Sequence, residues 1–279
     1  AKRKAEAEAK AAEAKRKAEA EAKAAAEAAF AMAPTFYFVA VAVVLAATTS
    51  LPRMQVLREQ GALTKLTIKI GDAIHGIGVG CILFVSHRWE DPSSPDVAGK
   101  QLAAIQEYLR ANPHITHVWY DFWCMPQKKD KDTDDRTPVE LVEFSLMLSC
   151  IADLYLTTKV LILLDNSYVG RFWTMMEAWC AMQVTTPQGV RACESDEEKR
   201  YTIKCIWNAD EEFDTPKLIK KLSTKTPQEV FEILSSPDVV LTNAKDKELM
   251  LPVVGQTNEH VKHLFEQAAT EAKELKLER

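Results

Sequence analysis

Two residues four positions apart, Trp173 and Glu177, are the clearest candidates for chemistry in this sequence. In a helix, residues at that spacing lie on one face, so an aromatic ring and a carboxylate would stand side by side. The segment follows residues 160–165, an apolar run typical of a buried parallel strand, and a short polar connection. A strand end, a turn and a carboxylate together indicate a candidate site at the edge of a sheet.

Polar and aromatic side chains also follow two other predicted strands. The three groups are Ser86-His-Arg-Trp-Glu-Asp91, Asp121-Phe-Trp-Cys124 and Asp165-Asn166. Ligands bind outside the carboxyl ends of strands in a doubly wound sheet, so we expect these groups to share one rim with Glu177. Carboxylates accept hydrogen bonds from ribose hydroxyls, Arg88 can hold a phosphate with two hydrogen bonds, and tryptophan rings stack on a base. The rim suits a sugar or nucleotide; the alternative is that Trp89, Trp119 and Trp123 are packing residues.

The elements that would position this rim are predicted by the alternation of apolar runs with helical patterns from residue 81 onward. The predicted strands are residues 81–86, 117–122, 159–165, 201–207 and 238–242. The predicted helices are 98–111, 138–156, 171–183 and a last one from Thr257. Such alternation is typical of an α/β fold with a doubly wound, mainly five-stranded parallel sheet, as in flavodoxin-like proteins. Thr137, Pro138 and Glu140 form a capping signature, so we interpret Glu140 as structural.

Composition excludes several classes of protein. The chain has 279 residues, enough for one well-buried domain with appendages, and a formal net charge of -5, which makes nucleic acid a poor partner. The six cysteines are scattered and never form Cys-x-x-Cys, so we predict reduced thiols and no disulfide framework, zinc site or other metal. The charged first residues are unlike a secretory signal. We therefore expect an intracellular protein, cytoplasmic in preference to organellar.

Two unusual segments precede the regular pattern. Residues 1–29 contain the string AKRKAEAEAKAA twice, displaced by thirteen residues, with Lys and Glu at helical spacing but almost no apolar residue besides Ala. This predicts a charged helical arm in solvent. Residues 30–50 carry no charge, which leaves two interpretations: a membrane span, or a strand that packs on the following domain. The alternation of Val with Ala over residues 39–43 favours the packing segment.

Four motifs in the order expected for one family give a resemblance to TIR (Toll/interleukin-receptor) domains. The motifs are Ile82-Leu-Phe-Val-Ser-His-Arg-Trp-Glu-Asp91, Val118-Trp-Tyr-Asp121, Asp165-Asn-Ser-Tyr168, and Arg171-Phe-Trp173 with Glu177. They cover roughly residues 81–245 and are most similar to a TIR-like group of algae and other protists. The resemblance implies four regions: the arm (1–29), an apolar segment and connector (30–80), the TIR-like domain (81–245) and a C-terminal helix packed on it (246–279).

The resemblance also implies an activity. In catalytic TIR domains the glutamate of Trp-x-x-x-Glu is needed to cleave the nicotinamide-ribose bond of NAD, and Glu177 is the matching residue. Arg88 and Trp89 match the loop that frames the pocket, and Phe122 matches an aromatic residue after the second strand. With Ser86, Asp121, Asp165 and Trp173 they form the expected substrate-binding set, NAD being a substrate and no cofactor being required.

Two features depart from the family pattern. Thr174 replaces the Cys common in plant members, and residues 126–136 form a long, charged loop where the family has a short one with glycine. Many TIR domains have no enzymatic activity and act only in assembly. The rival hypothesis is therefore a scaffold, or an accessory subunit of a larger complex that could be held at a membrane by residues 30–50. In either case we expect protein partners or self-association through the domain and the arm.

Overall fold

The computed structural model describes residues 34–130, 132–241 and 244–277, with residues 13, 15–18, 20–21, 23–25 and 27–28 of the preceding segment. Its strands are β1 (Thr35–Ala40), β2 (Leu63–Thr67), β3 (Ile82–Ser86), β4 (His117–Trp119), β5 (Lys159–Leu164), β6 (Gln183–Thr186), β7 (Gly189–Ala192) and β8 (Tyr201–Cys205). Three short helices lie before β3: α1 (Val41–Ala46), α2 (Met54–Glu59) and α3 (Ile70–Ala73).

The remaining helices include those that carry or cover the candidate site. They are α4 (Lys100–Ala111), α5 (Asp121–Cys124), α6 (Pro138–Ser149), α7 (Ile151–Thr157), α8 (Phe172–Ala181), α9 (Asp214–Leu222), α10 (Pro227–Ser235), α11 (Ala244–Gly255) and α12 (Thr257–Leu277). A 3-10 turn, Tyr168–Gly170, joins β5 to α8.

The main sheet has six strands in the order β2-β1-β4-β3-β5-β8 and is mostly parallel. Strands β4, β3, β5 and β8 run parallel, β1 runs antiparallel to β4, and β2 runs antiparallel to β1. Every residue of β3 and all but the first of β5 are buried, which explains why both read as unbroken apolar runs. Helices flank this sheet, and β6 and β7 form a separate hairpin.

The α/β class and four of the five predicted parallel strands are confirmed, but the fifth is wrong. Residues 238–241 form no strand; Val240 makes a single parallel bridge with Arg171. The predicted helix over residues 138–156 is two helices, since the backbone of Cys150 leaves helical geometry (φ -108°, ψ 3°). The second predicted strand ends at Trp119, and the helical turn α5 follows.

The apolar segment over residues 30–50 contains the strand β1. Of the two interpretations, a membrane span and a strand that packs on the domain, the structure has the second. Phe36 and Phe38 are fully buried between the sheet and its covering helices. The strand β2, which pairs with β1, lies in the span expected to be a connector; as an edge strand it needs only one apolar face, and its Thr-Lys-Leu-Thr end is mostly polar. In the described part of the chain, no helix is long and apolar enough to cross a bilayer.

Two further expectations concern local structure. The capping box at α6 is confirmed: the Thr137 side chain accepts from the Glu140 amide, and the Glu140 carboxylate accepts from the Thr137 amide. The charged arm lies largely outside the described residues. Those described between 13 and 28 are helical and exposed, with Lys17 next to Glu21 and Lys23 next to Glu27.

Arg200, at the start of β8, connects the carboxyl ends of two helices. Its guanidinium donates to four backbone carbonyls: those of Tyr155 and Thr158 at the end of α7, that of Cys180 in the last turn of α8, and that of Gln183, the first residue of β6. Desolvation lowers the pKa of Arg200 to about 10, so the group stays charged at neutral pH. A cation at two helix carboxyl ends also interacts favourably with both helix dipoles.

Replacing Arg200 should therefore cost more stability than replacing another arginine. Arg200→Met would remove the guanidinium donor from four backbone carbonyls, and we expect the free energy of unfolding to fall by about 2 to 4 kcal/mol. Arg191→Met is the control, because Arg191 is more than a third exposed and its ion pair with Glu198 is screened by solvent, so its loss should change stability little. Urea denaturation measures both; equal losses would contradict this role of Arg200.

Candidate functional site

The helix α8, which carries Glu177, is held at its start by two sets of contacts. The Thr174 hydroxyl donates to the carbonyl of Tyr168 at 2.6 Å, which ties the first turn to the preceding 3-10 turn. The Val240 amide donates to the Gly170 carbonyl at 2.8 Å, and the Val240 carbonyl accepts from the Phe172 amide at 3.1 Å. With Arg200 holding the other end, the position of α8 against the sheet is defined at both ends.

Glu177 meets the carboxyl end of β3. The hydroxyl of Ser86, the last residue of β3, donates to Oε2 of Glu177 at 2.6 Å. The Tyr168 hydroxyl lies 2.5 Å from the same Ser86 oxygen, and it donates there because the Ser86 proton is engaged by Glu177. Ser86 and Tyr168 are fully buried, while Glu177 is partly buried. The predicted convergence of Ser86 and Glu177 is thus present in the structure.

The surroundings of Glu177 favour its protonated form. Desolvation raises the pKa of Glu177 well above its ordinary value, and the charge of Asp121 acts in the same direction. The hydrogen bond from Ser86 acts in the opposite direction, because it stabilises the carboxylate, and the nearby Tyr155 hydroxyl, which donates to the Val85 carbonyl, adds to this effect. Desolvation is the largest of these effects, so Glu177 keeps its proton to a higher pH than an exposed glutamate does.

Arg88 and Asp165 join the ends of β3 and β5. The Arg88 Nε donates to Oδ2 of Asp165 at 2.6 Å, and its Nη1 donates to the Trp89 carbonyl at 2.7 Å. The other oxygen of Asp165 accepts from the Ser167 amide at 2.9 Å, which shapes the turn leading to α8. Among the described residues, Nη2 of Arg88 has no hydrogen-bond partner.

Asp121, at the start of α5, is the centre of a third group. Its carboxylate accepts from the Trp89 indole at 2.7 Å and from the Phe122 amide at 2.6 Å, and it lies 2.9 Å from Nε2 of His87. The rings of Trp89 and Phe122 meet edge to face at 5.4 Å. The predicted residues Trp89, Asp121 and Phe122 therefore form one cluster at the ends of β3 and β4.

Trp173 lies on α8 with Glu177, as the spacing predicts, but no hydrogen bond joins them. Its partly buried indole packs edge-on against Phe172, with ring centroids 5.7 Å apart. Of the other predicted stacking residues, Trp119 and Trp123 are buried in the core, which supports the packing alternative for both.

The expected substrate-binding set left out three residues of this region. Tyr155 and Tyr168 face Glu177 and Ser86, and Tyr155 lies in an apolar helix that carries no local signal of a site. His87 stacks on Tyr120 at 3.9 Å, and its Nδ1 is buried without a partner in the described part of the chain. The sequence did contain a signal for His87, which directly follows Ser86 at the end of β3. Because successive residues along a strand point to opposite faces, His87 is expected on the face opposite to Ser86.

Two open cavities lie away from this rim. One of about 320 Å³ borders β8 and α9 and is lined in part by Tyr201, Thr215 and Ile219. The other, of about 500 Å³, is bordered by the mostly apolar face of α12 that includes Phe265 and Ala268. Neither includes a predicted site residue. No His, Cys, Asp or Glu cluster suited to a metal ion occurs in the ranges the structure describes.

Comparison of the chain with protein-family models, with curated proteins and with solved structures finds no match.

The raised pKa of Glu177 predicts how stability changes with pH. The folded state keeps the proton to higher pH than the unfolded state, so its contribution is complete below the ordinary pKa of 4.5 and is lost as pH rises through the raised value. Glu177→Gln removes this dependence, and between pH 5 and pH 8 the wild type should lose stability relative to the variant.

Glu229→Gln provides the control, because the pKa of Glu229 is lowered to about 2 by the Thr226 amide and Lys225. Its carboxylate is ionised in both states above pH 5, so the stability difference from wild type should stay constant. Urea denaturation at pH 5 and pH 8 is the measurement. If the stability difference between wild type and Glu177→Gln were also the same at both pH values, the raised pKa assigned to Glu177 would be wrong.

Proposed function

We propose that this chain is a TIR-like domain that cleaves the nicotinamide-ribose bond of NAD, with Glu177 as the catalytic residue. The observation that carries the proposal is the position of Glu177, a partly buried carboxyl group bonded to Ser86 at the carboxyl end of β3. Ligands of mostly parallel sheets bind at this end. A charge that is shielded from water also interacts more strongly with a developing charge than one in solvent.

The reaction requires little covalent chemistry from the protein. The bond between the nicotinamide nitrogen and the ribose breaks, nicotinamide leaves with the bonding electrons, and the ribose becomes an oxocarbenium-like cation. The ionised carboxylate of Glu177 stabilises this cation and accepts hydrogen bonds from ribose hydroxyls. Water then attacks the anomeric carbon, and the products are ADP-ribose, nicotinamide and a proton.

Other rim residues supply binding groups for the same ligand. Arg88 is oriented by Asp165 and by the Trp89 carbonyl, which leaves Nη2 for a pyrophosphate oxygen. The edge-to-face pair of Trp89 and Phe122 offers an aromatic surface to a planar ring. These contacts support a dinucleotide in preference to a simple sugar.

A specific observation also favours the second candidate, a non-enzymatic assembly module. The polar groups of the rim are bonded to one another: Glu177 to Ser86, Arg88 to Asp165, and Trp89 to Asp121. A rim in which most polar side chains are bonded to one another can be a structural feature of a domain that acts through its surfaces. This candidate predicts no turnover of NAD.

Release of nicotinamide from NAD distinguishes the two candidates. Under the enzymatic proposal the wild-type chain releases nicotinamide, and Glu177→Gln, which keeps the size of the side chain, lowers kcat by at least about 100-fold. Glu143→Gln is the matched control, because Glu143 is a partly buried carboxylate on α6, bonded to Arg58 and Tyr37 and separate from the rim.

Thermal melts of both variants show whether folding is retained. Undiminished turnover by Glu177→Gln would remove Glu177 from the mechanism. A wild-type chain that releases no nicotinamide at any pH between 5 and 9 would favour the assembly module instead.

The pH profile gives an independent measure of the state of Glu177. The ionised form stabilises the cation, so kcat/KM should rise with pH through the raised pKa of Glu177. Ser86→Ala removes a hydrogen bond that favours the carboxylate and should move the rising limb to higher pH. Superimposable profiles for wild type and Ser86→Ala would show that another group controls the reaction.

A further inference from the structure

Trp207 differs from every other tryptophan of the chain. The other five make ring contacts or donate the indole N–H to a partner: Trp89, Trp119, Trp123, Trp173 and Trp179. Within the described residues the indole of Trp207 makes no aromatic, cationic or hydrogen-bonded contact, and it is 48 % exposed. Trp207 also lies outside the hydrophobic core, although the preceding Ile206 packs against it. Internal packing therefore does not explain this ring.

The backbone of Trp207 is in an unfavourable conformation. Its φ of 58° lies in the left-handed region, and it is the one non-glycine residue with positive φ among those described. A bulky side chain rarely adopts this conformation, whereas glycine does so readily. The turn is held by Asn166, whose amide donates to the Asn208 carbonyl at 3.0 Å. Strain at an exposed aromatic residue points to a role in recognition.

The residues that follow Trp207 are acidic. Asp210, Glu211, Glu212 and Asp214 lie within seven positions of it. Asp214 pairs with Lys217, and the Asp210 carboxylate accepts from backbone amides of the turn. The carboxylates of Glu211 and Glu212 are exposed and have no hydrogen bond or ion pair in the described part of the chain. Exposed carboxylates thus lie close in the chain to an exposed indole, and the charge of Glu211 also acts on Lys204.

A second exposed aromatic residue belongs to the same turn. Phe213, just before α9, is 66 % exposed. The nearest cation on the sheet, Lys204, is already bonded to Glu107 at 2.9 Å. The segment of residues 207–214, here named the acidic aromatic turn, therefore presents two aromatic rings and the exposed carboxylates of Glu211 and Glu212 to solvent.

We propose that the acidic aromatic turn binds a basic protein segment, with an arginine guanidinium stacked on Trp207 and neighbouring cations paired with Glu211 and Glu212. Tryptophan is the aromatic residue that binds cations best, and arginine is its most frequent partner. The carboxylates of this turn repel the phosphates of nucleic acids and of anionic lipids, so a basic polypeptide is the class of partner that fits. None of these residues belongs to the rim at the ends of β3, β4 and β5 that is proposed to bind NAD, so this interaction is independent of that function.

Fluorescence anisotropy with a labelled hexa-arginine peptide tests the proposal on the full chain. We expect Trp207→Gly to weaken binding by about 3- to 5-fold, the size of an exposed cation–π contact. Glycine adopts the left-handed conformation without strain, so this variant should melt at or above the wild-type temperature, and loss of binding will not reflect unfolding. Trp207→Phe, which keeps an aromatic ring, should retain part of the affinity.

Two charge-reversal variants separate local recognition from net charge. Glu211→Lys with Glu212→Lys should weaken peptide binding at least as much as Trp207→Gly. Glu271→Lys with Glu274→Lys changes the net charge equally at exposed positions near the end of α12, and it should leave affinity within about twofold, since salt screens charges that lie more than about 10 Å from the peptide.

Three results would overturn the proposal. The first is wild-type affinity in Trp207→Gly. The second is an equal loss in both charge-reversal variants, which would mean attraction by net charge alone. The third is Trp207-dependent binding of a single-stranded oligonucleotide or of phosphatidylserine vesicles in place of the peptide.

Discussion

The guanidinium of Arg200 holds together the part of the fold on which the candidate site depends. It has no carboxylate partner in the described part of the chain, and it donates to four carbonyls, three at the ends of two helices and one at the start of β6. One of these helices, α7, carries Tyr155, and the other, α8, carries Glu177. Because both helices end on the same cation, neither can slide along the sheet without leaving buried carbonyls unsatisfied. The contact between Glu177 and Ser86 requires α8 to keep this position.

Stability and the proposed chemistry place opposite demands on Glu177. Desolvation favours the neutral carboxyl group, and the proposed reaction uses the charged one. The hydroxyl of Ser86 moderates this conflict, since its hydrogen bond stabilises the carboxylate at a position where water has limited access. The same lack of water increases the effect of the charge on a nearby cation. A site of this kind depends on pH more strongly than an exposed carboxylate would.

The order of the strands separates two kinds of surface at one edge of the sheet. Strands β3 and β5 are central, and the side chains at their ends bond to one another, as in the pair of Arg88 and Asp165. Strand β8 is at the edge of the sheet, and the turn after it directs Trp207 and the acidic residues towards solvent. The inner rim therefore suits a ligand that displaces internal hydrogen bonds, and the outer turn suits a partner that approaches from outside.

The sequence by itself determined the elements whose signals are local. The apolar runs of β3 and β5, the capping box at Thr137 and the helix carrying Glu177 were all predictable, because burial on both faces and helix capping leave a pattern in adjacent residues. The convergence of Ser86 and Glu177 at one sheet edge also followed, since parallel strands end at the same edge. The TIR-like resemblance and the NAD chemistry remain predictions.

The tertiary structure alone decided the features that depend on distant partners. Whether residues 238–241 would pair as a strand, and whether β1 and β2 would extend the sheet, depended on which edges were free, and no local pattern encodes this. The four carbonyls around Arg200 come from residues up to 45 positions away. The raised pKa of Glu177 and the exposure of Trp207 likewise depend on what surrounds each side chain, because desolvation is a property of the folded environment and not of the residue type.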